Sequence, residues 1–285
     1  MYIKTSKWIL SGILMAATTF ASATQLVISS KNHNDSGHQF KWTSNDHNAF
    51  TVTSYGTTAT VSGWSDTSGN VNRADHIIKR AKFLEEDDKG GWALTNRDEA
   101  GSKPDYCGSY GHSADNLGNC GFRDYDFFMI EFDKEVLLTG ATFSWINNKV
   151  LDNNDKKHEV NEHEAVNMNE ISYAALKNNH VDHSTFDHIK SSNSVGHGYA
   201  EIQKNSGYYS DINTNVHSRY WIISAFNSIF GSGANSHEGN DGFKLASLSF
   251  TTKTTSPPNS IPEPATFVLM LMALAGLASR KFSLK

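Results

Sequence analysis

Residues 126–132 (DFFMIEF) and 136–146 (VLLTGATFSWI) are neighbouring segments rich in apolar, aromatic and β-branched side chains. Short apolar runs of this kind, bounded by polar residues, are typical of strands that are buried in a core. Residues 220–226 (YWIISAF) and 243–251 (FKLASLSFT) have the same character. The sequence therefore predicts four core strands.

Nearer the N-terminus, residues 49–54 (AFTVTS) and 57–65 (TTATVSGWS) alternate between apolar and polar side chains. Successive side chains of a strand point to opposite faces of its sheet, so alternation indicates a strand. The residues expected to share a face are Phe50 and Val52 in the first segment, and Ala59, Val61 and Gly63 in the second.

Between these segments lie breaks rich in Gly, Asn, Asp and Ser, such as residues 68–70 and 231–240, which favour turns and surface loops. Helix is expected only at residues 170–178 (EISYAALKN) and 73–86. Many strands without alternating helices predict an all-β fold, an antiparallel β-sandwich that is jelly-roll-like.

The N-terminus has the features of a secretory signal peptide. Lys4 and Lys7 form a basic start, residues 8–20 are apolar, and Ala21 and Ala23 form a small-residue cleavage signature. We expect signal peptidase to cut after Ala23, which places the rest of the chain outside the cytoplasm. An uncleaved N-terminal anchor is the alternative.

The C-terminus carries a second short hydrophobic segment, residues 265–279 (ATFVLMLMALAGLAS). As a helix it is about 22 Å long, shorter than a hydrocarbon core of about 30 Å, which predicts transient rather than robust membrane insertion. Basic residues after it favour a cytoplasmic end. Its flanking residues are Pro262, Glu263 and Pro264 before it, and Arg280 and Lys281 after it.

This order of Pro-Glu-Pro, apolar helix and basic end resembles the PEP-CTERM sorting signal of exported Gram-negative proteins. The resemblance implies processing by the membrane protease exosortase and a final location at the cell surface or outside the cell. It also implies a bacterium that makes exopolysaccharide, and hence a link to biofilm. A simple anchor, whose prolines only end the helix, is the alternative.

A second resemblance lies inside the chain, to the ectodomain of the exosortase-dependent surface protein family. It implies a β-sandwich without assigned chemistry, and Trp92 departs from the leucine expected there. The motifs that carry it are residues 91–99 (GWALTNRDE), 112–116 (HSADN), 126–132, 220–223 (YWII) and 241–245 (DGFKL).

These features predict four regions: a signal peptide (1–23), a β-sandwich ectodomain (24–250), a Thr/Ser/Pro linker (251–261) and the sorting signal (262–285). Without the two terminal regions, 20 basic residues remain against 29 acidic ones, because the ends hold five of the 25 basic residues and one of the 30 acidic residues. A net charge of −9 argues against nucleic acid as a partner and suits neutral polymers or divalent cations.

The two cysteines, Cys107 and Cys120, fall in the exported part. An oxidising compartment makes a disulfide between them the expected state. Closing so short a loop stabilises a fold by roughly 3 kcal/mol in the chain-entropy picture.

Two groups of residues are candidate metal ligands. Asp115, Asn116 and Asp241 offer oxygen atoms that suit Ca²⁺, with loop capping by hydrogen bonds as the alternative. The second group lies in a histidine-rich segment whose imidazoles suit Zn²⁺ or Cu²⁺, with a solvated polar loop as the alternative. Its members are His180, His183 and His188.

No motif for nucleophilic catalysis or phosphate binding is present, so the sequence predicts a protein that is not an enzyme. Four aromatic residues beside Gly or Ser are candidates for stacking on sugar rings: Trp64, Trp92, Tyr208 and Tyr209. We expect a non-catalytic surface or matrix protein associated with exopolysaccharide. The alternatives are a secreted polysaccharide hydrolase on the same sorting route and a metal-binding surface protein.

Overall fold

The computed structural model describes residues 23–28, 38–66, 77–85, 90–96, 113–116, 125–151, 157–205, 207–232 and 240–253. Residues 1–252 form one compact unit and residues 253–285 a second, of which Lys253 is described. Several predictions lie outside the described residues: Ala21, the Cys107–Cys120 disulfide, the apolar segment 265–279, and the flanking Pro262, Glu263, Pro264, Arg280 and Lys281.

Strands dominate the described residues. They are β1 (Thr24–Val27), β2 (His38–Trp42), β3 (Ala49–Ser54), β4 (Thr57–Ser65), β5 (Lys79–Arg80), β6 (Lys82–Glu85), β7 (Trp92–Thr95), β8 (Ala114–Asp115), β9 (Asp126–Ile146), β10 (Lys149–Leu151), β11 (Lys157–Glu159), β12 (Glu170–Leu176), β13 (Ser194–Glu201), β14 (Gln203–Asn205), β15 (Gly207–Asp211), β16 (Ser218–Ala225) and β17 (Gly242–Thr252).

Helix is limited to two short elements in the described part of the chain. Helix α1 (Glu162–Met168) begins with a capping box, in which Asn161 and Glu164 each accept a backbone N–H of the other. Helix α2 (Phe186–His188) continues into a π-helical turn, Ile189–Asn193. No helix in the described segments is long and apolar enough to cross a membrane.

Strand β9, with 21 residues, joins two sheets because its two halves have different neighbours. Its first half pairs with β4 and β16 in the first sheet, whose order is β2-β3-β4-β9-β16-β12-β13, with β5 on the end of β4. Its second half pairs with β15 and β17 in the second sheet, whose order is β14-β15-β9-β17. The far edge of β17 holds β1, β7 and β8, and β6 follows β7. All these pairs are antiparallel, as predicted.

The main core lies between the two sheets. Phe128 of the first sheet lies 6.1 Å from Phe243 of the second, measured between ring centroids, and Phe132 lies 5.2 Å from Phe250. Each large side chain removed from water here stabilises the fold by about 1.5–3 kcal/mol. These contacts make two packed layers, which is consistent with an all-β sandwich.

Several sequence predictions are confirmed. The strands predicted at residues 49–54 and 57–65 have those bounds, and Phe50, Val52, Ala59 and Val61 all lie in the inner core. Residues 220–226 and 243–251 correspond to β16 and β17. The two segments at 126–132 and 136–146 belong to one continuous strand.

The predicted helix at residues 170–178 is wrong, because residues 170–176 form β12 in the middle of the first sheet. All seven residues of β12 are buried, so apolar and small residues occupy both faces and the alternation that marks a half-exposed strand is lost. The predicted helix at residues 73–86 is also wrong where it is described, since β5 and β6 are strands.

A second apolar cluster covers the outer face of the first sheet. The sheet contributes Phe127, Met129 and Ile222, which point away from the main core. Residues 177–193 fold over them and contribute Phe186 and Ile189. The first half of β9 is therefore buried on both sides, which explains why five of the seven residues of DFFMIEF are apolar.

Candidate functional site

The outer face of the second sheet is polar. Four of its side chains form a row across adjacent strands, because Gln203 pairs with Tyr209, Tyr209 with Thr142, and Thr142 with Ser247. The Tyr209 hydroxyl donates to Gln203 Oε1 at 2.8 Å, and Gln25 Nε2 of β1 donates to Ser247 Oγ at 2.8 Å. The Thr142 and Ser247 hydroxyls lie 2.5 Å apart. We call these five residues the polar row.

A groove runs beside the polar row. Two residues along each strand from the polar row, Asp211, Gly140 and Ser249 lie side by side on three adjacent strands. Gly140 has no side chain, so backbone forms the floor there, and a Cβ atom at this position would lie 3.1 Å from the Ser210 carbonyl oxygen. The groove has a volume of about 680 Å³ and is lined by residues 139–143, 207–211, Asn205 and Ser249.

The wall of the groove is the hairpin β14–β15, which is attached to helix α1. Tyr208 alternates with Tyr209 and packs against the main core, and its hydroxyl donates to Glu162 Oε1 at 2.9 Å. Glu162 also forms an ion pair with Lys204. Hydrogen bonds from Lys204 and Tyr208 lower the pKa of Glu162, while burial and the bond to Glu162 raise the pKa of Tyr208. These contacts hold the hairpin in place.

Of the four aromatic candidates, the structure puts Tyr208 and Tyr209 at the groove, both half-buried. Tyr209 shares the outer face with the polar row, whereas Tyr208 faces the interior. The ring of Tyr209 is therefore the one placed to contact a ligand in the groove.

The prediction that Trp64 and Trp92 present rings to sugar is wrong. Trp64 is 4 % exposed, because the Arg80 guanidinium lies 4.0 Å from its ring centroid. Trp92 is 1 % exposed, and its indole N–H donates to the Ile28 carbonyl oxygen inside the core. Gly91, beside Trp92, lies where two segments of the backbone approach closely, since a Cβ on Gly91 would lie 3.0 Å from Lys244 Cβ.

The predicted calcium ligands lie close together, but Asn116 and Asp241 are hydrogen-bonded to each other. Asn116 Nδ2 donates to Asp241 Oδ2 at 2.6 Å, and the Asp241 N–H donates to Asn116 Oδ1 at 2.9 Å. The Glu170 N–H donates to Asp241 Oδ1 at 2.7 Å. Asp115 pairs with Gly242 on β17 and accepts a 2.6 Å bond from Ser113 Oγ. The arrangement favours the alternative interpretation, loop capping.

Asp241 lies in a buried, hydrogen-bonded environment. Its side chain is fully buried, and burial together with the neighbouring charge of Glu170 raises its pKa well above the ordinary 3.8. Hydrogen bonds from Asn116 Nδ2 and the Glu170 N–H occupy both of its carboxyl oxygens. Asp241 and Asn116 therefore act as a hydrogen-bonded clamp between β8 and β17.

The predicted histidine site is not assembled. His180, His183 and His188 are exposed, and His183 Nδ1 lies 3.0 Å from Asp182 Oδ1. In the parts of the chain that the structure describes, no three His, Cys, Asp or Glu side chains gather in a way that could hold a metal. This segment instead covers the first sheet with Phe186 and Ile189 and leaves its histidines in solvent.

The sequence analysis does not identify most of the groove or of the polar row. The residues it misses are Thr142, Asp211 and Ser249 in the groove, and Gln25 and Gln203 in the polar row. A signal was present in residues 243–251 (FKLASLSFT), where serines at alternate positions interrupt apolar residues. Paired with Thr142 of the neighbouring strand, they indicate an uncovered polar face.

Comparisons with known proteins identify no similar protein. No family model, curated protein or solved structure matches this chain. The interpretation of the site therefore depends on its geometry and on the sequence motifs.

Proposed function

We propose that this chain is an exported, exosortase-processed protein of the Gram-negative cell surface or extracellular matrix that binds exopolysaccharide without catalysis. The groove beside the polar row is the observation that supports binding most directly. The Pro262-Glu263-Pro264 motif, the apolar residues 265–279 and the basic end support the route. The proposal includes a jelly-roll-like sandwich, a C-terminal transmembrane helix and transient membrane insertion before cleavage.

The chemistry of the groove suits a sugar polymer. An aromatic ring such as that of Tyr209 stacks on the apolar face of a pyranose, and hydroxyls such as those of Thr142 and Ser249 both donate and accept hydrogen bonds. The groove lies across β15, β9 and β17, and the contacts of Tyr208 and Lys204 with Glu162 hold its hairpin wall to helix α1. These properties support the binding of a short segment within a longer chain.

Binding is favoured over hydrolysis by the number of carboxyl groups. Among the described residues that line the groove, Asp211 is the single carboxylate. Most glycoside hydrolases use a pair of carboxyl groups on opposite sides of the scissile bond. The hydrolase alternative therefore has weaker support than binding, and the metal-binding alternative lacks an assembled histidine site.

The sorting route is tested by mass spectrometry of the protein from cells with and without exosortase. We expect a chain shortened near Pro262 in normal cells and a longer form in cells that lack the enzyme. An intact Lys285 end in normal cells would contradict the sorting proposal.

The binding proposal is tested with the full chain, purified in a detergent without sugar groups, on a panel of immobilised polysaccharides. We expect binding to at least one polysaccharide and no release of reducing ends during prolonged incubation. Steady release of reducing ends would establish the hydrolase alternative instead.

A further inference from the structure

We infer that Asp211 makes the groove selective for uncharged polysaccharides and excludes polymers that carry carboxylates, such as those containing uronic acids. This inference rests on the proposed function, since it concerns the ligand of the same groove. It assigns a specificity role to a residue that the sequence motifs do not mark.

The position of Asp211 puts its charge beside any bound ligand. Asp211 is exposed at the end of β15, on the same face as Tyr209 and directly opposite Gly140. Because Gly140 lacks a side chain, a sugar ring can approach the backbone floor between Asp211 and Ser249. A ring that stacks on Tyr209 therefore lies within reach of the Asp211 carboxylate.

Among the described residues that line the groove, no positive charge offsets this carboxylate. Asp211 is the only charged residue among the described residues of the lining. The neighbouring Lys204 is not among these lining residues, and its ammonium group is engaged by Glu162 of helix α1. The groove therefore presents a net negative charge to its ligand.

The consequence differs between neutral and acidic sugars. A neutral sugar donates hydroxyl hydrogen bonds to Asp211, and bonds to an ionised acceptor are stronger than neutral ones. A ligand carboxylate about 4 Å away is repelled, and in a solvent-exposed groove this weakens binding by roughly fivefold for each close charge pair. The repulsion is screened by salt over about 8 Å at physiological ionic strength, so the discrimination is strongest in dilute buffer.

The test uses matched polymers: soluble β-glucan, xyloglucan and galactomannan, each beside a derivative whose primary hydroxyls are oxidised to carboxylates. Affinities of the full chain are compared for the wild type, Asp211→Asn and the control Asp46→Asn. Asp46 is exposed in the turn between β2 and β3, so the control makes the same change in net charge outside the groove. Melting temperatures check that all three proteins are folded.

We expect the wild type to bind a neutral polymer at least about fivefold more tightly than its oxidised derivative in dilute buffer. This ratio should approach one in Asp211→Asn and at high salt, and it should stay unchanged in Asp46→Asn. Equal binding of both polymers by the wild type, or an unchanged ratio in Asp211→Asn, would overturn the inference while the binding function stands. Failure of the wild type to bind any polymer would overturn both.

Discussion

The outer faces of the two sheets differ, although the same strand runs through both. On the first sheet, Phe127 and Met129 of β9 are covered by Phe186 and the residues around it. On the second sheet, Thr142 of β9 belongs to the polar row and lines the groove. The comparison teaches that one face of the protein serves stability and the other is available for a ligand.

The largest expected effect is on the covered face. Phe186→Ala removes ring contacts with Phe127 at 5.4 Å and Phe230 at 5.8 Å. Because the cavity cannot close fully, we expect the free energy of unfolding to fall by about 3–5 kcal/mol, measured by guanidinium denaturation. A loss below about 1 kcal/mol would mean that residues 177–193 do not pack on the sheet as described.

The clamp between β8 and β17 gives the next largest effect. Asn116→Ala removes the donor to Asp241 Oδ2 and to the Phe226 carbonyl oxygen, and it removes the acceptor of the Asp241 N–H. Each buried polar group left without a partner costs about 1–3 kcal/mol, so we expect a loss of at least about 2 kcal/mol in urea denaturation.

Stabilisation by calcium is the result that would contradict the clamp interpretation. If millimolar Ca²⁺ raised the melting temperature of the wild type, and Asn116→Ala abolished that rise, Asp115, Asn116 and Asp241 would be metal ligands rather than a clamp. Under the clamp interpretation Ca²⁺ has no specific effect through these residues.

Stability should also depend on pH through the same region. The pKa of Asp241 is raised in the folded protein, so the folded state binds this proton more tightly than the unfolded state does. The stability that this proton contributes is therefore present at low pH and is lost as pH rises from about 4 through the folded pKa, with a slope of at most about 1.4 kcal/mol per pH unit.

The variant Glu170→Gln tests this linkage, because the charge of Glu170 helps to raise the pKa of Asp241. We expect the fall in urea midpoint between about pH 4 and 7 to be smaller in Glu170→Gln than in the wild type. Identical slopes would show that Asp241 does not titrate as described.

The smallest effect is expected in the open face. Thr142→Val keeps the shape of the side chain but removes the hydroxyl that contacts Ser247. We expect polysaccharide affinity to fall by roughly threefold, within the ~0.5–1.5 kcal/mol of one net hydrogen bond. Isothermal titration with a bound neutral polymer measures this change. Unchanged or higher affinity would show that the ligand does not use this hydroxyl.

The same comparison shows what the sequence can predict. Phe50 and Val52 were placed on one face correctly because β3 has one buried side and therefore alternates. Residues 170–176 were mistaken for a helix because both sides of β12 are buried and no alternation remains. Alternation reveals a strand only where its two faces meet different surroundings. The first half of β9, which is buried on both sides, is predicted instead by its short run of apolar and aromatic residues.

The candidate site was predictable in part. Tyr209 was identified from its polar neighbours, and the same reasoning failed for Trp64 and Trp92, since exposure depends on residues far away in sequence, such as Arg80 over Trp64. The polar row was missed because Gln25, Thr142, Tyr209 and Ser247 come together only through strand pairing. Register over more than 200 residues is not readable from a short window.

Affinity for a neutral polysaccharide, measured for Tyr209→Ala beside Tyr220→Ala, tests the central claim most directly. Both tyrosines are half-buried, but Tyr209 belongs to the groove on the second sheet and Tyr220 packs on the covered face of the first. We predict a loss of about tenfold for Tyr209→Ala, equal to about 1.4 kcal/mol, and unchanged affinity for Tyr220→Ala. Unchanged affinity for Tyr209→Ala, or an equal loss in both variants, would contradict a glycan site in the groove.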